Sequence, residues 1–141
     1  SYYLDYNNFT NTPTIPTNNN QLTNGAEYLT ASTLLTDGAF SSATATTTTT
    51  SQTAVDTFAA ATYRSVKYQI QITRGSEYHI TEVFIVHDGT TSYGTEYATI
   101  KTGSSLASFD TDIDSGNVRL LATPTSSSST VFKLVRTLIK V

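Results

Sequence analysis

Val66, Tyr68, Ile70 and Ile72 alternate with Lys67, Gln69, Gln71 and Thr73. A period of two marks a strand with one buried face and one solvated face. Any fold that contains it needs an apolar layer against one side only. Arg74-Gly75-Ser76 ends the run with a turn, and Glu77 to His87 continues as a second strand rich in β-branched and aromatic residues. There Val83, Phe84, Ile85 and Val86 put apolar side chains on both faces, so its second half is expected to be buried on both sides.

The same reading runs to the end of the chain. Asp88 to Ser92 turns, Glu96 to Thr102 is a third strand, and Leu106 to Ile113 is a fourth. Asp114-Ser115-Gly116-Asn117 makes a hairpin turn into Val118 to Thr123, which Pro124 and a serine-rich loop end. In the last strand, Val131 to Val141, the residues Val131, Val135, Ile139 and Val141 share one face, opposite Phe132, Leu134 and Leu138. Ala54 to Tyr63 reads as an edge strand or a short helical turn. Strands spaced by about 8–12 residues predict an all-β fold over residues 54–141, a β-sandwich or a small barrel, of which an antiparallel β-sandwich of jelly-roll-like type is the one expected.

Residues 1–53 lack this pattern. Pro13 and Pro16 remove backbone donors and bias their neighbours to extended conformations. Thr46 to Thr50 is an uninterrupted threonine run, high in β propensity but poor in apolar area. A short repeat, Leu22-Thr23-Asn24-Gly25-Ala26, returns as Leu35-Thr36-Asp37-Gly38-Ala39. Each copy reads as a short strand and a tight turn, and units of this kind need stacking or oligomerisation to bury anything. Two domains are therefore expected: an extended shaft or linker over 1–53, and the sandwich over 54–141.

Composition narrows function. Charged residues are 13% of the chain and the net charge is −3, which gives no basic surface for nucleic-acid phosphates. Cysteine is absent, and no apolar run is long enough for a membrane helix. With no methionine and Ser1 first, the chain reads as a fragment or a processed product. No cofactor motif is present.

Candidate sites are few. His79 and His87 share a strand face but lie about 26 Å apart at about 3.3 Å per residue, too far to share a metal. Asp110, Asp112 and Asp114 alternate as a weak calcium candidate. The EF-hand pattern fails, however, because Ser115 stands where glycine is needed and Leu121 where the bidentate glutamate is needed. A solvated edge strand, whose charges discourage aggregation, is the favoured explanation of the three carboxylates. No Gly-x-Ser-x-Gly elbow occurs, and the neighbours His87 and Asp88 point to opposite faces of a strand. No catalytic residue is assigned, and the chain is expected not to be an enzyme. Nine tyrosines without tryptophan could stack on sugars, although most of them read as half-buried strand residues. Tyr93, His87, Asp88 and Tyr97 are the glycan-binding candidates.

The N-terminal words carry a resemblance. Asp5-Tyr6-Asn7-Asn8-Phe9-Thr10-Asn11-Thr12-Pro13-Thr14-Ile15-Pro16, followed by Thr17 to Ala26, resembles a segment of phage tail-fibre proteins, especially those of large contractile-tailed phages of marine cyanobacteria. Tyr63 to Tyr68, Val86 to Thr91 and Gly116 to Leu121 resemble a domain of virion structural proteins of such phages. The resemblance implies a homotrimeric tail-fibre or appendage segment on the virion, a shaft leading to a β domain, that serves assembly or host attachment beside other virion proteins. Three copies would bury Tyr6, Phe9, Ile15, Leu22, Leu35 and Phe40 around one axis. The alternatives are a receptor-recognition tip that binds host surface glycan, and a capsid decoration protein.

Overall fold

The structure, a computed structural model, describes residues 35–141, which form one compact unit, Leu35–Val141. It has eight strands: β1 (Gly38–Thr47), β2 (Thr53–Ala59), β3 (Tyr63–Arg74), β4 (Glu77–His87), β5 (Ser92–Lys101), β6 (Ala107–Asp114), β7 (Asn117–Pro124) and β8 (Thr130–Lys140). Among the described residues no helix is long and apolar enough to cross a membrane.

All pairings are antiparallel. One sheet has five strands in the order β1-β8-β3-β4-β5, and the other has three in the order β2-β7-β6. The pairs β1–β8 and β2–β7 nest, first strand with last and second with second-last, as in a rolled-up jelly roll. The β3-β4-β5 meander and the β6–β7 hairpin then depart from the four-plus-four form.

The core lies between the sheets. Val66, Tyr68, Ile70 and Ile72 of β3, Val83 and Ile85 of β4, and Phe132, Leu134 and Leu138 of β8 meet Val55, Phe58, Val118, Leu120 and Ala122 of the smaller sheet. The alternation in β3 therefore holds. Ala54 to Tyr63 resolves into the edge strand β2 and a turn, with a bulge between Ala54 and Asp56. That bulge puts Val55 and Phe58 on the same buried face although they are three residues apart.

Two expectations change. The second half of β4 is buried on one face only: Val83 and Ile85 are buried, while Phe84 is 45% and Val86 46% exposed. The smaller sheet covers a single side of the larger one, so strict alternation places Phe84 and Val86 outside with Glu82. The β unit also begins well before residue 54. β1 pairs with β8 along its whole length, from Gly38↔Ile139 to Thr47↔Thr130. Its inward side chains, Ala39, Ser41, Ala43 and Ala45, are too small to announce a core strand, yet the three alanines pack on the core. The second copy of the short repeat supplies the turn that starts β1. The first copy lies outside the described residues.

Two arginines tie the layers. Arg136 on β8 reaches Asp56 Oδ2 (2.5 Å) and the Thr57 carbonyl (2.9 Å) on β2, and Ser41 Oγ (2.8 Å) on β1. Arg74, at the end of β3, donates to Thr130 Oγ1, Thr125 Oγ1 and the Leu106 carbonyl, gathering three chain segments.

Candidate functional site

The face of the five-stranded sheet turned away from the core carries the largest set of exposed apolar and aromatic side chains among the described residues. Register arranges them in rows. Lys67 on β3 sits between Phe84 on β4 and Thr137 on β8, and Thr137 is paired with Phe40 on β1. In the next row Gln69 lies between Glu82 and Val135, with Tyr97 of β5 beyond Glu82.

Toward the β5 edge of this face Phe84 and Tyr97 stack, with ring centroids 5.4 Å apart and planes 9° from parallel. Lys67 Nζ is 5.6 Å from the Phe84 ring centre and 3.0 Å from Glu82 Oε2. The Tyr97 hydroxyl and the Lys67 ammonium hold the Glu82 carboxyl below its ordinary range, and Glu82 in turn raises the pKa of Lys67, favouring the ammonium, and of Tyr97, favouring the neutral phenol. A flat aromatic pair with a fixed charged pair at its edge offers one stacking surface and oriented hydrogen-bonding groups.

A backbone irregularity places Tyr97. The β4–β5 register shifts between Ile80 and Glu82, and Ala98 adopts φ 54°, in the left-handed region. The bulge brings Tyr97 opposite Glu82 and beside Phe84.

A second feature adjoins this platform. Asp88 Oδ1 accepts the amide of Thr90 (2.9 Å), the amide of Thr91 (2.8 Å) and the Thr90 hydroxyl (2.9 Å). These donors hold its carboxyl far below the usual range. Tyr93 Oη donates to Asp88 Oδ2 at 3.3 Å, and Tyr93 remains 56% exposed. Tyr93, Val86 and Phe84 line one shallow hollow of about 310 Å³.

Of the sequence candidates, Tyr93 and Asp88 are brought together, and Tyr97 lies on the same sheet face. His87 is not available there. It is buried, its Nε2 lies 2.7 Å from the Tyr63 carbonyl, and its ring tilts against Phe58 inside the core. Inward residues of β4 alternate His79, Thr81, Val83, Ile85 and His87, so His87 and Asp88 part company at the strand end. Lys67, Glu82 and Phe84 were not singled out from sequence. The signal was present in the alternation of Tyr78, Ile80, Glu82, Phe84 and Val86, where Glu82 marks the solvated phase.

The calcium candidate does not assemble. Arg119 on β7 donates to both oxygens of Asp112, through Nε at 2.7 Å and through Nη2, and to Asp114 at 3.1 Å. A guanidinium already occupies two of the three carboxylates, and it lowers the Asp112 carboxyl. Among the described residues no cluster of three metal-ligating side chains is present. Of the proposed trimer-core residues, Leu35 is 40% and Phe40 67% exposed, while Tyr6, Phe9, Ile15 and Leu22 lie outside the described residues.

No family model matches the sequence, and no curated protein matches it. Solved structures with a similar chain course include three phage tailspikes. The tailspike of Acinetobacter baumannii phage AM24 has 10% identity and a TM-score of 0.43 over 72% of this chain and 26% of its own. That of Acinetobacter phage vB_ApiP_P1 has 14% identity and a TM-score of 0.42, covering 72% of this chain and 22% of the tailspike. That of A. baumannii bacteriophage Fri1, described as a capsular polysaccharide depolymerase, has 10% identity and a TM-score of 0.40, covering 76% and 20%. The chain thus spans only a fifth to a quarter of the length of these proteins. The Fri1 description corrects the expectation of a non-enzymatic chain. Cleavage of a polysaccharide needs two carboxylates that strands far apart in sequence can supply, so the lack of a contiguous motif never excluded it.

Proposed function

We propose that the chain is part of a phage tail appendage on the virion, and that the open face of its five-stranded sheet binds saccharide on the host surface. One observation carries the binding reading. Phe84, 45% exposed, stacks on the half-buried Tyr97 at the β4–β5 edge of the sheet, flanked by the Lys67–Glu82 ion pair. Apolar residues at such a position are costly to solvate, and burial against a sugar face relieves that cost while leaving the polar edge to fix orientation. Tyr93, held by Asp88, extends the surface along the sheet.

Residues 1–34 supply the fibre-like segment in this proposal, with the homotrimer formed through it. The words Asp5 to Pro16, which resemble contractile-tailed cyanophage fibres, support this. Leu35 and Phe40 support it too, being apolar and exposed at the start of the β unit.

Affinity electrophoresis of the 141-residue protein in gels that contain purified bacterial capsular and lipopolysaccharide O-chains tests the binding role. Retardation by one or more polysaccharides, lost in Phe84→Ala and Tyr97→Ala, is expected. Migration unchanged across the panel would sink the proposal.

A further inference from the structure

Beside the aromatic platform, the same sheet face holds a wider hollow of about 430 Å³ that runs across β1, β8, β3 and β4. Five polar side chains line it. Gln69 and Gln71 project from β3 two residues apart, Ser42 and Thr44 from β1, and Lys133 from β8. Ile80 and Val135 form its apolar walls. Register fixes the set: Gln71 is paired with Lys133, Lys133 with Thr44, and Gln69 with Val135, which is paired with Ser42.

Lys133 is exposed, and among the described residues no carboxylate lies within 4.0 Å of its ammonium. Most other cations are engaged: Lys67 with Glu82, Arg119 with Asp112 and Asp114, Arg136 with Asp56, Arg64 with the His87 carbonyl, Lys140 with the Thr36 carbonyl, and Arg74 with its three acceptors. Glu82, the outward carboxylate of β4 beside this hollow, is already matched by Lys67. The hollow therefore combines one uncompensated positive charge with two amides, two hydroxyls and apolar walls, inside a chain of net charge −3.

We propose that this hollow is a subsite for a carboxylate-bearing sugar residue, with Lys133 pairing the carboxylate and the Gln69 and Gln71 amides taking ring hydroxyl or acetamido groups. It rests on the reading of this face as saccharide-binding and adds the chemical class of the ligand: an acidic polysaccharide. Charge complementarity selects that class. A neutral glycan leaves Lys133 unmatched, whereas a carboxylate on the sugar pairs it. A single exposed pair is worth about a two- to fivefold change in affinity, and it weakens with salt.

The test compares polygalacturonate with its methyl ester, the same backbone with its carboxylates neutralised, by affinity electrophoresis of the 141-residue protein at low ionic strength. Expected is stronger retardation by polygalacturonate than by the ester. Lys133→Gln removes the difference, Lys133→Arg keeps it, and Lys101→Gln, which changes a lysine outside the hollow, also keeps it. The protein is net acidic, so a general polyanion attraction does not produce this result. Equal retardation by both polymers, or a preference that survives Lys133→Gln, overturns the subsite while leaving the saccharide-binding face standing if Phe84→Ala abolishes retardation. Retention by neither polymer also overturns the acidic-sugar subsite, and the capsular and O-chain panel then judges the face separately.

Discussion

Arg136 Nη1 lies 2.5 Å from Asp56 Oδ2 and so bridges the two sheets of the sandwich from β8 to β2. Both side chains are largely buried, 19% and 10% exposed, and the Tyr68 hydroxyl beneath has no partner of its own. Burial, with Asp56 adding to it, pushes the ionisation of that tyrosine well above its ordinary value. Removing one partner strands the other charge. Asp56→Asn is expected to lower stability by about 3 kcal/mol, read from urea denaturation midpoints. The double change Asp56→Leu with Arg136→Met is expected to cost clearly less than the sum of the single changes. Additive losses would show that the pair does not act as a unit.

His79 makes stability depend on pH near neutrality. It is buried, its Nδ1 receives the Leu106 amide at 3.4 Å, and burial lowers its pKa against the opposing pull of Glu96, 3.8 Å from Nε2. The unfolded chain therefore binds a proton more readily than the folded one. Stability from this group is present above about pH 6.5 and is lost as pH falls from there toward the folded value. Thermal unfolding midpoints are expected to fall between pH 7.5 and pH 5.5. His79→Gln should lower the midpoint at pH 7.5 and flatten that slope; an unchanged slope assigns it elsewhere.

Further acidification acts through Glu82, Asp88 and Asp112, whose carboxyls are all held low in the folded protein. Their contribution is present above about pH 4 and disappears as pH falls through the folded values. A second, steeper loss of stability below pH 4 is expected by circular dichroism. Asp112→Asn should make it shallower, since Arg119 is its main partner.

Backbone strain at two non-glycine residues offers a stabilising route. Ser115 has φ 51° and Gly116 φ 80°, the two positive angles of a tight hairpin turn between β6 and β7. Asparagine tolerates this conformation better than serine, so Ser115→Asn should add about 0.5 kcal/mol. Ala98→Gly at φ 54° is expected to gain a similar amount while freeing the bulge that places Tyr97. A stable protein with weakened polysaccharide retardation would be its signature.

Phe84 and Ile85 are sequence neighbours with opposite duties. Ile85→Ala opens the core and is expected to cost about 3 kcal/mol. Phe84→Ala removes only the contacts with Tyr97 and Lys67, about 1 kcal/mol, yet should abolish saccharide retardation. A large stability loss in Phe84→Ala would make the stacked pair structural. Leu35→Asp with Phe40→Asp should change neither, but it should lower the solution mass by light scattering if these residues seat a second copy. An unchanged mass would show that Leu35 and Phe40 do not seat a second copy.

The chain's own pattern determined that it is a sandwich of antiparallel strands. Alternation in β3 shows which of its side chains are inside, because a period of two leaves little freedom of register. Gly75, Gly89 and Gly116 mark turns because each takes a positive φ there. Tyr93 and Asp88 were legible as partners because they are near in sequence. What pairs across the sheet was not legible. β1 was hidden by its small inward residues and became a core strand only through β8, about ninety residues later in the chain. Lys67, Glu82, Phe84 and Tyr97 come from three strands, and the Lys133 hollow adds β1 and β8. The sequence reading groups His87 with Asp88 as a glycan candidate, although strand alternation turns the two apart, and His87 lies in the core. Sequence fixes the two faces of each strand, but only the lateral order of strands and the single-sided cover of the smaller sheet decide which outward residues become neighbours and stay exposed.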